Sequence, residues 1–341
     1  MNKIRLFTIA IFGVLLLSSL QPGPVKITMD QEQSVARILE ALGDKANAKP
    51  DLSIAGVSAE AGKELVLYGI TKGPNGRKVK KQSKHFVCTS CHNVEREDPD
   101  LRVADPQARL VYAKENGLPF LQGTTLYGAV NRTNFYNGDY EKKYGDLVKA
   151  ARNDIREAIQ LCAVECSQGR PLKDWEMESV LAYLWTIDLK VKDLMINEED
   201  KNSVEKAVQG NGDKAQAIKD LKSYYLAGAP ATFITPPPNR TTGFEEIQGN
   251  PDNGKLIYDL SCLHCHQQGR YAFFKLDDSK YSFKYLDKHM ARYTRYSVYQ
   301  VSRWGTSPFA GKETYMPNYT LEKMSNQQLE DLRAYIEQEA K

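Results

Sequence analysis

The amino-acid sequence predicts a mainly α-helical chain, on three observations. Apolar residues recur at helical spacing in three segments, near residues 35, 180 and 330. The second and third of these segments begin with residues that commonly cap helices. The stretches between them are polar and show little of the alternation between apolar and polar residues that marks β-strands.

Each predicted helix has its own apolar face. The first is short, is expected to pack on the first half of the chain, and has the apolar residues Val35, Ile38, Leu39 and Leu42. The second follows Asp174 as its N-cap and has the apolar residues Val180, Leu181, Leu184 and Trp185. The third begins at a capping box formed by Ser325 and Gln328, followed by Leu329, Leu332 and Ile336.

Length and charge limit the classes of function. With 341 residues, the chain is longer than a typical single domain, so we expect two domains. Its 46 Lys and Arg residues nearly balance its 43 Asp and Glu residues, and no basic block alternates with aromatic residues. This balance gives no support for a nucleic-acid partner.

The N-terminus indicates export. Lys3 and Arg5 precede an uncharged run over residues 6–20, and prolines and a glycine follow at residues 22–24. This pattern is typical of a secretory signal, although the run ends in a poor cleavage site. Residues 1–24 are therefore predicted to be a signal peptide or an uncleaved N-terminal anchor, with a buried core helix as the alternative. We expect a periplasmic protein, with at most a tether to the inner membrane.

Four of the six cysteines belong to two copies of one motif. The copies are Cys88-Thr89-Ser90-Cys91-His92 and Cys262-Leu263-His264-Cys265-His266. Cys-x-x-Cys-His is the attachment sequence of c-type haem. Its two thiols lie on one face of a helical turn and add across the haem vinyl groups, and the histidine supplies the proximal nitrogen to the iron. We therefore predict two covalently bound haem c groups.

Two other uses of paired cysteines fit less well. A thioredoxin-like redox pair requires no following histidine, and the surrounding sequence shows no βαβ pattern. A zinc site made of two Cys-x-x-Cys pairs usually separates them by ~15–20 residues. Here most of the chain lies between the pairs. The haem interpretation therefore predicts His92 and His266 as iron ligands.

The sequence around each motif is repeated. A Gly-Lys pair and a later tyrosine precede each motif, and residues 180–184 resemble residues 332–336 in the other half. Each half therefore contains a helix, the motif, an irregular middle and a closing helix, an arrangement that resembles the class I cytochrome c family. The resemblance implies two tandem cytochrome c domains, over residues 31–228 and 244–341. Prolines at residues 230 and 236–238 predict an extended linker over residues 229–243.

The second half contains a candidate for the remaining axial position of its iron. Met316 precedes Pro317 between the irregular middle and the closing helix. Class I cytochromes place their distal thioether in such a Met-Pro pair, so the resemblance implies Met316 as a metal ligand. His/Met ligation raises the reduction potential. A buried, gap-filling methionine is the alternative, and Met290 and Met324, which lack the proline, are weaker ligand candidates.

The first half has two further cysteines in place of a Met-Pro pair. Its segment over residues 159–169 resembles the dihaem thiosulfate dehydrogenases and, more distantly, the dihaem subunit of the periplasmic sulfur-oxidising complex. The resemblance implies that the Cys162 thiolate is the second iron ligand at a catalytic haem, with Gly169 at the matching spacing. The alternatives are a disulfide between Cys162 and Cys166, Met177 as ligand, or an open iron. A thiolate ligand lowers the potential.

This resemblance is partial. Ala158 and Glu165 occupy the places where the dehydrogenases carry arginines, and Cys166 stands where they usually have serine. Other arginines are candidates to replace the missing ones: Arg132, Arg152, Arg156 and Arg170. The remaining histidines are not expected to bind iron, and the last of them is expected to face solvent: His85, His264 and His289.

Two functions follow from these observations. The first is an oxidoreductase that oxidises a small sulfur anion such as thiosulfate at the haem of His92 and Cys162. Electrons would pass through the haem of His266 and Met316 to a soluble cytochrome or a terminal oxidase. The alternative is a non-catalytic dihaem electron carrier docked to a respiratory complex. Electron transfer is common to both.

Overall fold

The computed structural model describes residues 27–45, 48–307 and 315–341. The predicted signal or anchor over residues 1–24 lies outside this range. The described chain is mainly α-helical and contains no β-strand, which agrees with the mainly α part of the predicted fold class. The two tandem cytochrome c domains stay a prediction. In the same residues, no helix has the length and apolar character needed to cross a bilayer.

Thirteen α-helices occur within the described residues. In chain order they are α1 Val35–Leu42, α2 Ala59–Tyr68, α3 Pro106–Glu115, α4 Tyr140–Tyr144, α5 Ile155–Leu161, α6 Asp174–Leu184, α7 Glu198–Val208, α8 Lys214–Lys222, α9 Pro251–Ile257, α10 Leu263–His266, α11 Lys280–Met290, α12 Val298–Trp304 and α13 Asn326–Ala340. Two π-helical turns, Cys162–Cys166 and Tyr258–Cys262, extend α5 and α9.

The predicted caps are right at one helix and wrong by one residue at another. The Ser325 hydroxyl accepts a hydrogen bond from the Gln328 N–H (3.1 Å), and the Gln328 side chain accepts one from the Ser325 N–H (3.0 Å). Helix α6, in contrast, has Lys173 as its N-cap, and Asp174 is its first helical residue. The reason is Glu176, whose carboxylate accepts the Lys173 N–H (2.9 Å) and so satisfies an otherwise unpaired donor.

The two halves repeat one helix crossing. Helix α2 crosses α6 at Gly62, where a Cβ atom would overlap the backbone oxygen of Ser179. Helix α9 crosses α13 at Gly254, where a Cβ atom would overlap the backbone oxygen of Asp331. At both points a tyrosine of the closing helix packs on the glycine. Glycine is required because only a residue without a side chain lets the two backbones approach so closely.

Buried apolar residues form three clusters. One lies between α2, α5 and α6 in the first half. A second joins α1, α7 and α8 to residues 189–194, so the predicted short helix does pack on the first half. The third is built mainly from α9, α11, α12 and α13, and it also takes in Leu110 and Phe120 from the first half. For description, residues 31–228 are called the first unit, residues 229–243 the linker and residues 244–341 the second unit.

The units are joined by a buried interface. The Phe120 N–H donates to the Leu260 oxygen (2.9 Å), and the Arg109 guanidinium donates to the Lys323 oxygen (2.7 Å). Glu97 lies within 2.9 Å of the Lys323 ammonium and 3.6 Å of the Arg109 guanidinium. The interface therefore holds the two motif-bearing halves in one arrangement. The domain boundaries stay a prediction.

Candidate functional site

The first motif begins in a tight turn. Val87 is extended, and residues Cys88–Ser90 form a 3₁₀ turn in which the Ser90 hydroxyl accepts the Val87 N–H (2.9 Å). In the second motif, Cys262 ends the π-helical turn after α9, and Cys265 and His266 lie in α10. The four motif thiols are unpaired and partly exposed. Each motif therefore presents two free sulfurs within one short segment.

Both motif histidines are held in the same way. Nδ1 of His92 lies 2.6 Å from the Thr124 backbone oxygen, and Nδ1 of His266 lies 2.6 Å from the Phe274 backbone oxygen. A carbonyl only accepts hydrogen bonds, so the proton is on Nδ1 and the lone pair is on Nε2. Burial lowers the pKa of both imidazoles, which favours the neutral form. Each ring can therefore bind a metal through Nε2.

The pocket of His92 is closely fitted to this orientation. A Cβ atom on Gly123 would lie 2.6 Å from Nδ1 of His92 and would also strike the Cys91 backbone oxygen. The Gly123 N–H instead donates to that oxygen (2.9 Å). Glycine at this position therefore lets residues 123–124 approach the motif and direct the ring.

These groups meet the requirements of a covalently attached haem. Each motif combines two free thiols with an imidazole whose tautomer and direction are set by a backbone carbonyl. Nowhere in the described residues do three or more His, Cys, Asp or Glu side chains form a cluster that could hold a metal ion.

The predicted ligand Cys162 lies in the first site. The Ser167 N–H donates to the Cys162 oxygen (2.8 Å), which closes the π-helical turn, and the Gln82 side chain donates to the Ala163 oxygen (2.7 Å). Gly169 is required beside this turn, because a Cβ atom there would strike Gln82. The thiols of Cys88 and Cys91 lie close enough to raise the pKa of Cys162. The structure therefore brings the segment at Cys162 to the first motif.

Cys166 shares this site with Cys162. Both are free thiols, and their side chains are hydrogen bonded to each other, so the structure contains no disulfide between them. This hydrogen bond, together with burial, raises the pKa of Cys162. The same hydrogen bond, with a second one from Tyr136, lowers the pKa of Cys166. Cys166 is thus the functional candidate that sequence reasoning left without a role.

Several aromatic side chains lie near Cys162 and Cys166. The Tyr136 hydroxyl lies 3.9 Å from the Cys166 sulfur, and its backbone has a φ of 49°, which is strained for a non-glycine residue. Tyr140 packs on Tyr136 and on Phe233 of the linker, with ring centroids 5.2 and 4.9 Å apart. Tyr315 reaches the same site from the second unit, 5.6 Å from Phe86.

The arginines considered as replacements are engaged elsewhere. Arg170 pairs with Glu176 (2.7 Å), Arg156 pairs with Glu178 (2.7 Å), and Arg152 pairs with Glu141. Arg132 donates to the backbone oxygens of Thr125 and Tyr127. Glu165, at the place of one of the missing arginines, is exposed, and its negative charge raises the pKa of Cys166, whereas an arginine would lower it. The described contacts therefore put none of these arginines on the thiol pair.

A polar cavity of about 770 Å³ is lined in part by the loop that carries Tyr136. Its lining includes Asn134, Asn137, Lys142 and Arg152, along with linker residues. Lys142 pairs with Asp139, and Arg152 pairs with Glu141. The cavity is therefore polar, but its two cations are offset by acids.

Met316 is hydrogen bonded through its backbone to Thr306, in the segment that follows α12. Its N–H donates to the Thr306 hydroxyl (2.8 Å), and its oxygen accepts the Thr306 N–H (2.8 Å). Its half-buried side chain packs on the apolar cluster that Cys262 and Phe274 also contact. The weaker candidates Met290 and Met324 are fully buried in that cluster. Met177 is likewise buried, in α6.

The two motifs face each other across the interface. The His264 ring, inside the second motif, is hydrogen bonded to the backbone of Thr89, inside the first. The thiols of Cys91 and Cys265 are also close enough for Cys265 to raise the pKa of Cys91. His289 does not face solvent as expected. It is half-buried between Tyr285 and Tyr296, with centroids 4.6 and 5.5 Å away, because these aromatic rings bury the imidazole.

Comparison with known proteins adds no relative. No family model matches the chain, and no curated protein or solved structure matches it.

Proposed function

We propose that the chain is an exported dihaem c-type cytochrome that transfers electrons between two covalently attached haems. The observation that carries this proposal is the matched orientation of His92 and His266. In both motifs, a backbone oxygen 2.6 Å from Nδ1 leaves Nε2 as the metal-binding atom. If the two histidines were only structural, there would be no reason for both to have a backbone oxygen at Nδ1 and two free thiols close by in the sequence.

The residues of each motif have separate roles in this proposal. Cys88 and Cys91 hold the first haem, and Cys262 and Cys265 hold the second, through thioether bonds. His92 and His266 supply the proximal nitrogens. When bound, each haem supplies one-electron exchange at its iron. The chain sets the direction of that exchange through the ligands on the opposite side.

The distal residues differ between the two sites. Met316 is the candidate distal ligand of the second site, where its thioether would favour a high potential. Cys162 and Cys166 give the first site a thiol pair, and a thiolate favours a low potential. Electrons are therefore expected to move from the first site to the second and then to a partner protein such as a soluble cytochrome or a terminal oxidase.

Contact between the motifs supports direct transfer. The His264–Thr89 hydrogen bond places the two attachment turns against each other, and the buried ion pairs of Glu97 keep them there. Electron transfer falls steeply with distance, so this packing favours a short path that requires no movement of the units.

The proposal has a more specific part, which is that the first site also oxidises a substrate. The thiol pair and the strained Tyr136 next to it support oxidation of a small sulfur anion such as thiosulfate at that site. The engaged arginines and the offset charges of the neighbouring cavity instead favour the second candidate, a dihaem carrier without a substrate of its own. Haem-mediated electron transfer belongs to both.

Haem content is the first test. The full chain is produced in a host with a working haem-ligation system, and its mass and visible spectrum are measured. We expect a mass increase of two haems that survives acid-acetone extraction. The double variants Cys88→Ala/Cys91→Ala and Cys262→Ala/Cys265→Ala should each retain one haem. A colourless wild-type protein would overturn the proposal.

Thiosulfate separates the enzyme from the carrier. The haem-loaded protein is oxidised, thiosulfate is added, and reduction is followed in the visible spectrum. Reduction that is lost in Cys162→Gly and kept in the exposed control Glu60→Gln supports the oxidoreductase. If neither thiosulfate nor a related sulfur anion reduces the haems, the result supports the electron carrier without a substrate of its own. Cys166→Ser in the same assay determines which thiol the reaction needs.

A further inference from the structure

Arg240 of the linker is a buried cation with unfilled hydrogen-bonding capacity. The residue is only 3% exposed. Its Nη2 donates to the Gln300 side chain (2.6 Å), whereas Nε and Nη1 are buried and have no acceptor among the described residues. No carboxylate in the described part of the chain forms an ion pair with it. Burying a guanidinium without a counter-charge is costly, which points to an anionic partner.

Aromatic contacts account for only part of this environment. The Arg240 guanidinium carbon lies 3.7 Å from the ring centroid of Tyr293 and 5.7 Å from that of Trp304. A cation–π contact uses the face of the guanidinium and leaves the N–H donors in its plane unfilled. The unpaired donors therefore need an acceptor that approaches from the edge.

A comparison with Arg303 shows what is unusual. Arg303 is also buried, with 1% exposure, and its Nε lacks a partner. However, its Nη1 donates to the Met324 oxygen (2.8 Å) and its Nη2 donates to Asn326 (2.9 Å). Arg303 thus has a structural role at the start of α13. Arg240 has one acceptor for three nitrogens.

The position of Arg240 relates it to the second motif. Its hydrogen bond to Gln300 and its cation–π contacts with Tyr293 and Trp304 lie on residues 293–304. Near one end of this segment, Tyr296 packs 6.5 Å from Phe274, whose backbone oxygen orients His266. Just beyond the other end, Thr306 is hydrogen bonded to Met316. If His266 and Met316 bind the second haem on opposite faces, the segment that Arg240 contacts connects the two faces, which would bring Arg240 towards the haem edge.

We propose that Arg240 binds a propionate carboxylate of the haem held by the second motif. This inference rests on the proposed function, since it requires a haem on Cys262 and Cys265. Haem carries two carboxylates on the part of the ring away from the vinyl-derived thioethers, and a guanidinium is the side chain best suited to bind a buried carboxylate. The linker would then be part of the cofactor site and more than a spacer between the units.

The reduction potential of the second haem tests this role. In haem-loaded full-length protein, Arg240→Gln removes a positive charge near the iron and should lower the potential of one haem only. The potential that is missing from the variant Cys262→Ala/Cys265→Ala belongs to the second haem, which identifies the haem that Arg240→Gln affects. Arg240→Lys keeps the positive charge, so the potential of the second haem should stay close to its wild-type value. Arg292→Gln, a change of the same kind at an exposed position just before this segment, should leave both potentials at their wild-type values.

Two results would overturn the inference. One is that the second haem has the same reduction potential in Arg240→Gln as in Arg292→Gln. The other needs no variant: an experimental structure of the haem-loaded wild type with both propionates of the second haem beyond hydrogen-bond distance of Arg240. Absence of haem from the wild-type chain is a different outcome, because it removes the proposed function itself.

Discussion

Glu97 of the first unit and Lys323 of the second form an ion pair of 2.9 Å whose carboxylate is almost completely buried. Arg109 lies 3.6 Å from the same carboxylate. The three side chains connect the units next to the first motif, since Glu97 and Lys323 are both near enough to influence His92. Folding of the two halves is therefore expected to be coupled through this network.

Removal of Lys323 should destabilise the whole chain. In Lys323→Met, Glu97 loses one of its two cations while staying buried, and breaking a buried pair in this way costs about 3–5 kcal/mol. The free energy of unfolding is measured by urea denaturation. Lys142→Met, which breaks an exposed pair with Asp139, is the control and should change it by less than about 1 kcal/mol. Equal effects of the two substitutions would contradict the coupling.

Acid should weaken the interface through Glu97. Burial alone would raise the pKa of this carboxyl, but Lys323 and Arg109 outweigh burial and lower its pKa to about 2. A group with a lowered pKa contributes stability that is present above its unfolded value of 4.5 and is lost as the pH falls towards about 2. Wild type should therefore lose more unfolding free energy across that window than Glu97→Gln. The check is urea denaturation at a series of pH values, and parallel curves would refute it.

The glycines at the two helix crossings should not tolerate alanine. Alanine is the better helix former, so on propensity alone Gly62→Ala and Gly254→Ala would stabilise α2 and α9. The added Cβ atom, however, would overlap the backbone of the closing helix. We expect both variants to lose about 1–3 kcal/mol of unfolding free energy or more. Gly73→Ala, whose nearest neighbour is a Val79 methyl at 3.2 Å, should change it much less.

Thiol counting separates the states of the six cysteines. If four are in thioether bonds and the remaining pair is reduced, the unfolded haem-loaded protein should react with two equivalents of a thiol reagent. The reactive residues are expected to be Cys162 and Cys166, identified by mass spectrometry of the labelled peptides. No reaction before reduction would instead indicate a disulfide between them, and six reactive thiols would indicate that no haem is attached.

Local sequence patterns were sufficient to predict three of the helices, α1, α6 and α13. The capping box at Ser325 involves residues three apart and was predicted correctly, because caps depend on nearby side chains. The two Cys-x-x-Cys-His motifs likewise gather their functional groups within five residues. Asp174 was misplaced by one residue, because helix termini depend on which neighbouring carboxylate satisfies the first N–H groups.

The details of the sites needed the tertiary structure. Nδ1 of His92 and of His266 binds a backbone oxygen, and since every residue type carries one, no sequence pattern marks Thr124 or Phe274. Lys323 and Glu97 are 226 residues apart, so only the docking of the units brings them together. The surroundings of Cys166 and Arg240 likewise needed the tertiary structure, because burial and unfilled hydrogen bonds exist only once distant segments have packed. The sequence by itself therefore determined the mainly α-helical class and the two Cys-x-x-Cys-His motifs, and the tertiary structure decided how each motif is oriented and what surrounds it.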